Sequence, residues 1–165
     1  MSIDKMLGAV AQRKEQMKFY VASSWRNVIQ PGVVRLLRKN DFEVYDFREP
    51  MVGNNGFHWS EIDPNWQDWS PKQFKKFLSN PIAQKGFNAD FTAMKQCDAA
   101  ILVMPCGRSA HLELGYFIGT GKPTAICLSD GEPELMYCLA DKLSLNMDEL
   151  LNWCKSLGEA PTKEK

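Results

Sequence analysis

Neither sign of charge dominates this chain: 20 basic and 20 acidic side chains leave a formal net charge of zero. No global field draws it to nucleic acid or to a membrane surface, so an anionic ligand must be held by a few local groups. Long apolar runs are missing as well. The longest, residues 99–104 (AAILVM), is far too short to span a bilayer. The N-terminus lacks the apolar core of a signal peptide. The five cysteines, Cys97, Cys106, Cys127, Cys138 and Cys154, form neither a CxxC pair nor a metal-ligand spacing, and an odd number cannot all pair. They predict buried or free thiols in a reducing compartment, the cytoplasm. Internal repeats and low-complexity segments are absent. What these absences leave is a globular protein with no metal and no cofactor implied.

What is present fits that class. The chain has 165 residues, 44% of them hydrophobic and 24% charged, enough for one domain with a real core. Residues 1–16 read as a polar N-terminal extension, either a helix or a stretch ahead of a natural start at Met17, and residues 158–165 (GEAPTKEK) as a fraying tail. Between them, over residues 17–157, strand-like and helix-like segments alternate. Strands are expected at residues 18–23, 42–47, 98–104 and 123–128, and helices near 29–37, 89–97, 109–120, 133–140 and 147–157. Several strands are apolar throughout, as in strands covered on both sides. The pattern predicts α/β class: a flavodoxin/Rossmann-like parallel sheet with helices on both faces and central strand order 2-1-3-4.

Residues 48–86 interrupt the alternation with an irregular insertion carrying Phe57, Trp59, Trp66 and Trp69 within 13 residues. Two readings are open. One is a satellite hydrophobic cluster over a sheet edge. The other is a pocket wall in which Phe57 and Trp59 stack on a planar ring.

In an open parallel sheet, ligands bind beyond the carboxyl ends of the strands. Two loops fall there, Ser23-Ser24-Trp25-Arg26-Asn27 and Pro105-Cys106-Gly107-Arg108-Ser109. Each offers hydroxyls, backbone amides, one arginine and a following helix N-terminus, a combination suited to phosphate or carboxylate. Serines before helices also serve as simple N-caps. Two acids stand out beside these loops. Glu113 lies early in the helix after the second loop, among Leu112, Leu114, Tyr116, Phe117 and Ile118; a solvated carboxylate favoured by the helix dipole is the plain reading, a buried functional one the sharper. Asp90 shares a helix face with Ala93, Met94 and Cys97, where an apolar residue belongs unless it caps that helix. His111, two residues from Glu113, falls on another face.

Taken together, residues 20–25 (YVASSW), Asn88-Ala89-Asp90, the apolar strand entered through Asp98, Glu113-Leu114-Gly115-Tyr116 and Gly121-Lys122-Pro123 resemble the nucleoside 2-deoxyribosyltransferase family. The resemblance covers residues 17–130, and its specificity lies in the ordered set rather than in any one piece. It implies Glu113 as nucleophile on the anomeric carbon, Tyr20 as its hydrogen-bonding partner and Asp90 as the acid that protonates the leaving base. It also implies a homo-oligomer, for which the helix around Leu112 and the C-terminal helices offer contact surfaces. One departure stands out: the acidic residue that these transferases carry six positions before the nucleophile is here Gly107. Arg108-Ser109 and Ser24-x-Arg26 are similar instead to nucleoside 5'-monophosphate N-glycosidases of the same superfamily. That similarity implies a phosphate held by Ser23, Ser24, Arg26, Gly107, Arg108 and Ser109, with Trp25 in the same loop, and a (deoxy)nucleotide or nucleoside as partner. A TIR-like NAD glycohydrolase and a catalytically idle nucleotide sensor are the competing readings.

Overall fold

The computed structural model describes residues 16–129 and 131–159. All but the last residue of the expected N-terminal extension, and most of the tail, lie outside the described residues. One parallel sheet runs in the order β2-β1-β3-β4-β5, with β1 at Lys18–Ala22, β2 at Glu43–Asp46, β3 at Ala99–Val103, β4 at Thr124–Cys127 and β5 at Lys142–Ser144. The helices are α1 (Gln30–Lys39), α2 (Pro71–Phe77), α3 (Pro81–Gln96), α4 (Arg108–Gly119) and α5 (Met147–Leu157). The expected α/β class and the central order 2-1-3-4 both hold.

Strand alternation divides the core in two. Phe19, Val21, Ile101 and Val103 point to the face covered by α1 (Val33, Val34, Leu37) and α5 (Leu150, Cys154). Tyr20, Ala22, Ala100 and Leu102 point to the opposite face, under α3 (Ala93, Met94, Cys97) and α4 (Ala110, Leu114, Phe117). Each fully buried Leu, Ile or Phe contributes about 1.5–3 kcal/mol, so the two layers dominate stability. The α3 end is pinned by Lys122, whose Nζ donates to the carbonyls of Met94, Lys95 and Cys97 at 3.0, 2.8 and 2.6 Å. That clamp satisfies carbonyls that a helix C-terminus leaves unpaired. It also fixes the helix that carries Asp90.

Four details differ from the sequence expectation. Residues 133–140 hold a 3-10 turn, Leu135–Leu139, rather than an α-helix. The strand β5 was not foreseen; three residues with one leucine give no periodicity to read. The insertion over 48–86 is not irregular throughout, since it contains α2 and the first turns of α3. Ser70 and Asn80 accept from backbone amides as caps with prolines behind them, so both helices start on ordinary signals. Finally, α4, whose run of apolar residues leads one to expect a largely buried helix, buries only Ala110, Leu114 and Phe117, and Leu112 is 77% exposed.

Candidate active site

Sheet register sets the floor of the site. Tyr20 of β1 pairs with Tyr45 of β2, so both phenols leave the sheet side by side on the face covered by α3 and α4. Their rings stack at 5.2 Å with planes 21° apart, and Tyr20 also lies 5.6 Å from Phe117 of α4. Above them stand the two acids. Asp90 occupies the α3 stripe at i−3, i−4 and i−7 from Ala93, Met94 and Cys97; it is not a helix cap, a role taken by Asn80. Glu113 lies between Ala110 and Phe117 at i+3 and i−4 in the buried stripe of α4. Both carboxyls therefore occupy positions that the core would fill with apolar groups.

The structure brings Tyr20, Tyr45, Asp90 and Glu113 together. The Tyr45 hydroxyl donates to Asp90 Oδ1 at 2.8 Å. The Tyr20 hydroxyl is buried without a hydrogen-bond partner of normal geometry, yet it stands near enough to Glu113 to influence its acidity. Burial pushes the Glu113 carboxyl up, the Asp90 charge adds to that, and Tyr20 pulls back, leaving it at about 7. Burial likewise raises Asp90, against the bond from Tyr45. Both phenols are raised, first by burial and then by the neighbouring carboxylates, so they stay neutral O–H donors. The groups that perturb Tyr20 and Glu113 are acids throughout: carboxyls, phenols and the Cys97 thiol. Such a pocket resists a second negative charge and favours a positive one.

The rim is built by the two loops foreseen from sequence, and much of its polarity is already engaged. Ser23 Oγ donates to the Val103 carbonyl at 2.8 Å. Asn27 Nδ2 donates to the carbonyls of Val103 and Pro105, at 3.1 and 3.0 Å, while its Oδ1 accepts from the amides that open α1. These bonds tie the loop after β1 to the loop after β3. Arg48, which sequence reasoning passed over, joins the segment after β2 to the same loop: its Nη2 donates to the carbonyls of Ser24, Trp25 and Asn27. Arg26 and Arg108 are both exposed, and neither joins an ion pair among the described residues. No side chain caps α4, whose first residues are Arg108 and Ser109 behind Gly107, so its amides are free for an anion.

Other candidates have different duties. His111 turns away from the acids, with Nδ1 against the Gly107 carbonyl at 2.9 Å and Nε2 against the Tyr137 hydroxyl at 2.8 Å. The Cys106 thiol is pushed up to about 11 by burial and by Glu113, the opposite of an activated nucleophile. Phe57 lies edge-on to Trp59, which also meets Trp69 and Phe74. These rings pack on one another outside the two core clusters. Trp25, tilted over His58 at 4.2 Å, keeps 41% of its surface exposed. A cleft of about 530 Å³ lies within the insertion between Gly53, Asn54, Asn55, Gly56, His58, Glu61 and Lys85, and neither Asp90 nor Glu113 lines it. Among the described residues no three His, Cys, Asp or Glu side chains are placed to share a metal ion, and no helix is long and apolar enough to cross a membrane.

No family model and no curated protein matches this chain. Among solved structures it is similar to a CMP N-glycosidase of Clostridium botulinum, at 17% identity and a TM-score of 0.45, over 84% of this chain and 98% of that one. It is also similar to the 2-deoxyribosyltransferase of the psychrotolerant bacterium Bacillus psychrosaccharolyticus, at 20% identity and a TM-score of 0.60, over 86% of this chain and 95% of that one. At that identity the likeness to the Bacillus enzyme is one of fold: this chain is built like a 2-deoxyribosyltransferase, as the motif resemblance implies.

Proposed function

We propose that this chain cleaves or transfers the N-glycosidic bond of a (deoxy)nucleoside 5'-monophosphate or nucleoside, through a covalent glycosyl ester on Glu113. The observation that carries the reading is the pairing of Glu113 with Asp90 in two apolar helix stripes, over two neutral phenols. In the first step the Glu113 carboxylate attacks the anomeric carbon while the C–N bond breaks, its electron pair leaving with the base as Asp90 gives that base its proton. In the second, Asp90 takes a proton from water, or from an incoming base, which attacks the anomeric carbon and releases Glu113. The site suits this order because mutual repulsion keeps one proton on the pair near neutrality. An oxocarbenium-like transition state places positive charge among acids, where this pocket favours it. A sensor gains nothing from two buried carboxyls, each destabilising the other's charge.

The phosphate falls to Arg26, Arg108, Ser24, Ser109 and the amides beside Gly107, with Ser23 holding the loop from behind. The exposed face of Trp25 receives the base, and Phe57 and Trp59 in the insertion offer a second aromatic wall. Exposed Leu112 and Leu135, at 77% and 80%, support a homo-oligomer, and a monomer by light scattering at micromolar concentration would remove that claim. The deciding experiment is incubation with a panel of (deoxy)nucleoside monophosphates, free nucleosides and NAD, with chromatography of the products. Release of free base from a monophosphate, absent in Glu113→Gln, is the expected result. Release from none of them by folded wild-type protein sinks the reading, and release from NAD alone favours the TIR-like alternative.

A further inference from the structure

Tyr45 is engaged in two ways, only one of which a purely apolar packing residue could supply. Its ring stacks on Tyr20, and its hydroxyl donates to Asp90 Oδ1 at 2.8 Å. Phenylalanine would keep the first contact and lose the second. A carboxyl held by no bond turns freely about its last torsion and offers either oxygen to a substrate. Proton transfer to a leaving group works only when the acid's oxygen is placed within hydrogen-bond reach, so that freedom slows it. A donor on Oδ1 removes the freedom, because an oxygen that is accepting from a phenol is the poorer site for the carboxyl's own proton.

We propose that Tyr45 is a positioning residue of this site: by donating to Asp90 Oδ1 while stacked on Tyr20, it fixes the carboxyl so that Oδ2 carries the proton to the leaving base. The inference rests on the N-glycosidic reading above and names a residue that reading does not require. The titratable groups around Asp90 come from four elements: Tyr45 on β2, Tyr20 on β1, Glu113 on α4, and Cys97 at the end of α3. Tyr45 alone among them bonds to Asp90. Its bond lowers the Asp90 pKa against the rise caused by burial, so removing it moves Asp90 further up.

The test uses Tyr45→Phe, Asp90→Asn, the double variant and Glu113→Gln. Carboxyl carbon NMR of the full chain, with the Asp90 signal assigned by its loss in Asp90→Asn, reads the titration directly and needs no substrate. In Tyr45→Phe the midpoint is expected to rise by about one pH unit. On the substrate found in the panel, Tyr45→Phe should lower kcat by about tenfold with KM little changed, and carry the alkaline limb of the pH profile upward. In the Asp90→Asn background the same substitution should change kcat less than about twofold, since the carboxyl it serves is gone. An unmoved Asp90 midpoint, or a loss of the same size in both backgrounds, overturns the positioning role. Turnover that survives Glu113→Gln overturns the nucleophile instead, and the NMR arm still decides the contact between Tyr45 and Asp90.

Discussion

The floor of the site and the insertion above it are built on opposite terms. Each of the four floor residues sits on a regular element, placed by strand register or by a helix stripe, and Tyr20 is wholly buried. In the insertion no residue from 47 to 82 is buried. Its order comes from rings packed on rings, Trp59 against Phe57, Trp69 and Phe74, and Trp69 stacked on Phe77 at 4.4 Å. A few points moor it, chiefly Gly56, where φ is +73° and an added Cβ would meet the Phe47 carbonyl at 2.3 Å and the Trp25 ring at 2.9 Å. The contrast separates two tasks. Groups that must meet a reacting atom within a fraction of an ångström are carried by the core. On the proposed reading, the part that selects a substrate is left outside it, where change costs the fold little.

Substitutions should strike the two regions differently, most severely on the floor. Glu113→Gln is expected to lower kcat by at least about a thousandfold on every substrate, with binding still measurable. Asp90→Asn should cost about a hundredfold or more, least for substrates whose base leaves easily without protonation. The pH profile adds direction. Activity needs one proton on the Glu113–Asp90 pair, so the profile should be bell-shaped: it falls as pH rises through about 7, where the pair gives up that proton, and falls on the acid side as a second proton binds. Activity that keeps rising through pH 7 would mean that substrate does not find Glu113 in this setting.

At the rim the effects are smaller and selective. Arg26→Ala or Arg108→Ala should raise KM for a monophosphate by about tenfold to a hundredfold, with little change for the free nucleoside. Equal losses on both substrates would make the arginines structural. Farther out, Gly56→Ala forces a positive φ on an alanine and a clash on Trp25, a local penalty of about 2 kcal/mol or more. Hydrogen exchange over residues 51–60 should then accelerate while β1 and β3 keep their protection. Loss of protection in the sheet as well would join the two regions that this comparison separates.

Legibility in the sequence follows the same division. The strands of the core announced themselves as apolar runs, and Asp90 and Glu113 showed because each breaks a helical stripe. Tyr45 did not show: in FEVYDF an aromatic residue is ordinary strand material, and its height beside Tyr20 exists only once β1 and β2 are paired in register. Arg48 was hidden for a similar reason, since its three carbonyl partners lie 21 to 24 residues back in the chain. The insertion was recognised as unusual by composition, but ring-on-ring packing has no fixed period, so its helix α2 and the early start of α3 went unread. Three-residue β5 carries too little pattern to be separated from a turn.

The smallest expected effect bears on whether the floor is strained for function. Glu113 is held at about 7 in the folded chain, against 4.5 for an unperturbed glutamate. Between those values the folded protein binds the proton and the unfolded chain does not. Folding stability therefore is fullest below the lower value, declines as pH rises through the window, and levels off above about 7. The whole shift corresponds to about 3 kcal/mol at most, and residual solvent contact at Glu113 reduces it to ~1–2 kcal/mol. Glutamine carries no charge at any pH, so Glu113→Gln removes this term. Relative to wild type, its Tm should climb between pH 5 and pH 8 by about 2–8 °C for a chain of this size. A gain that grows with pH, in the variant that has lost its turnover, identifies Glu113 as a group whose charge the fold tolerates only for the sake of its chemistry. A difference in Tm that ignores pH would mean that the carboxylate is comfortable where it stands, and that its closeness to Asp90 does not constrain its proton.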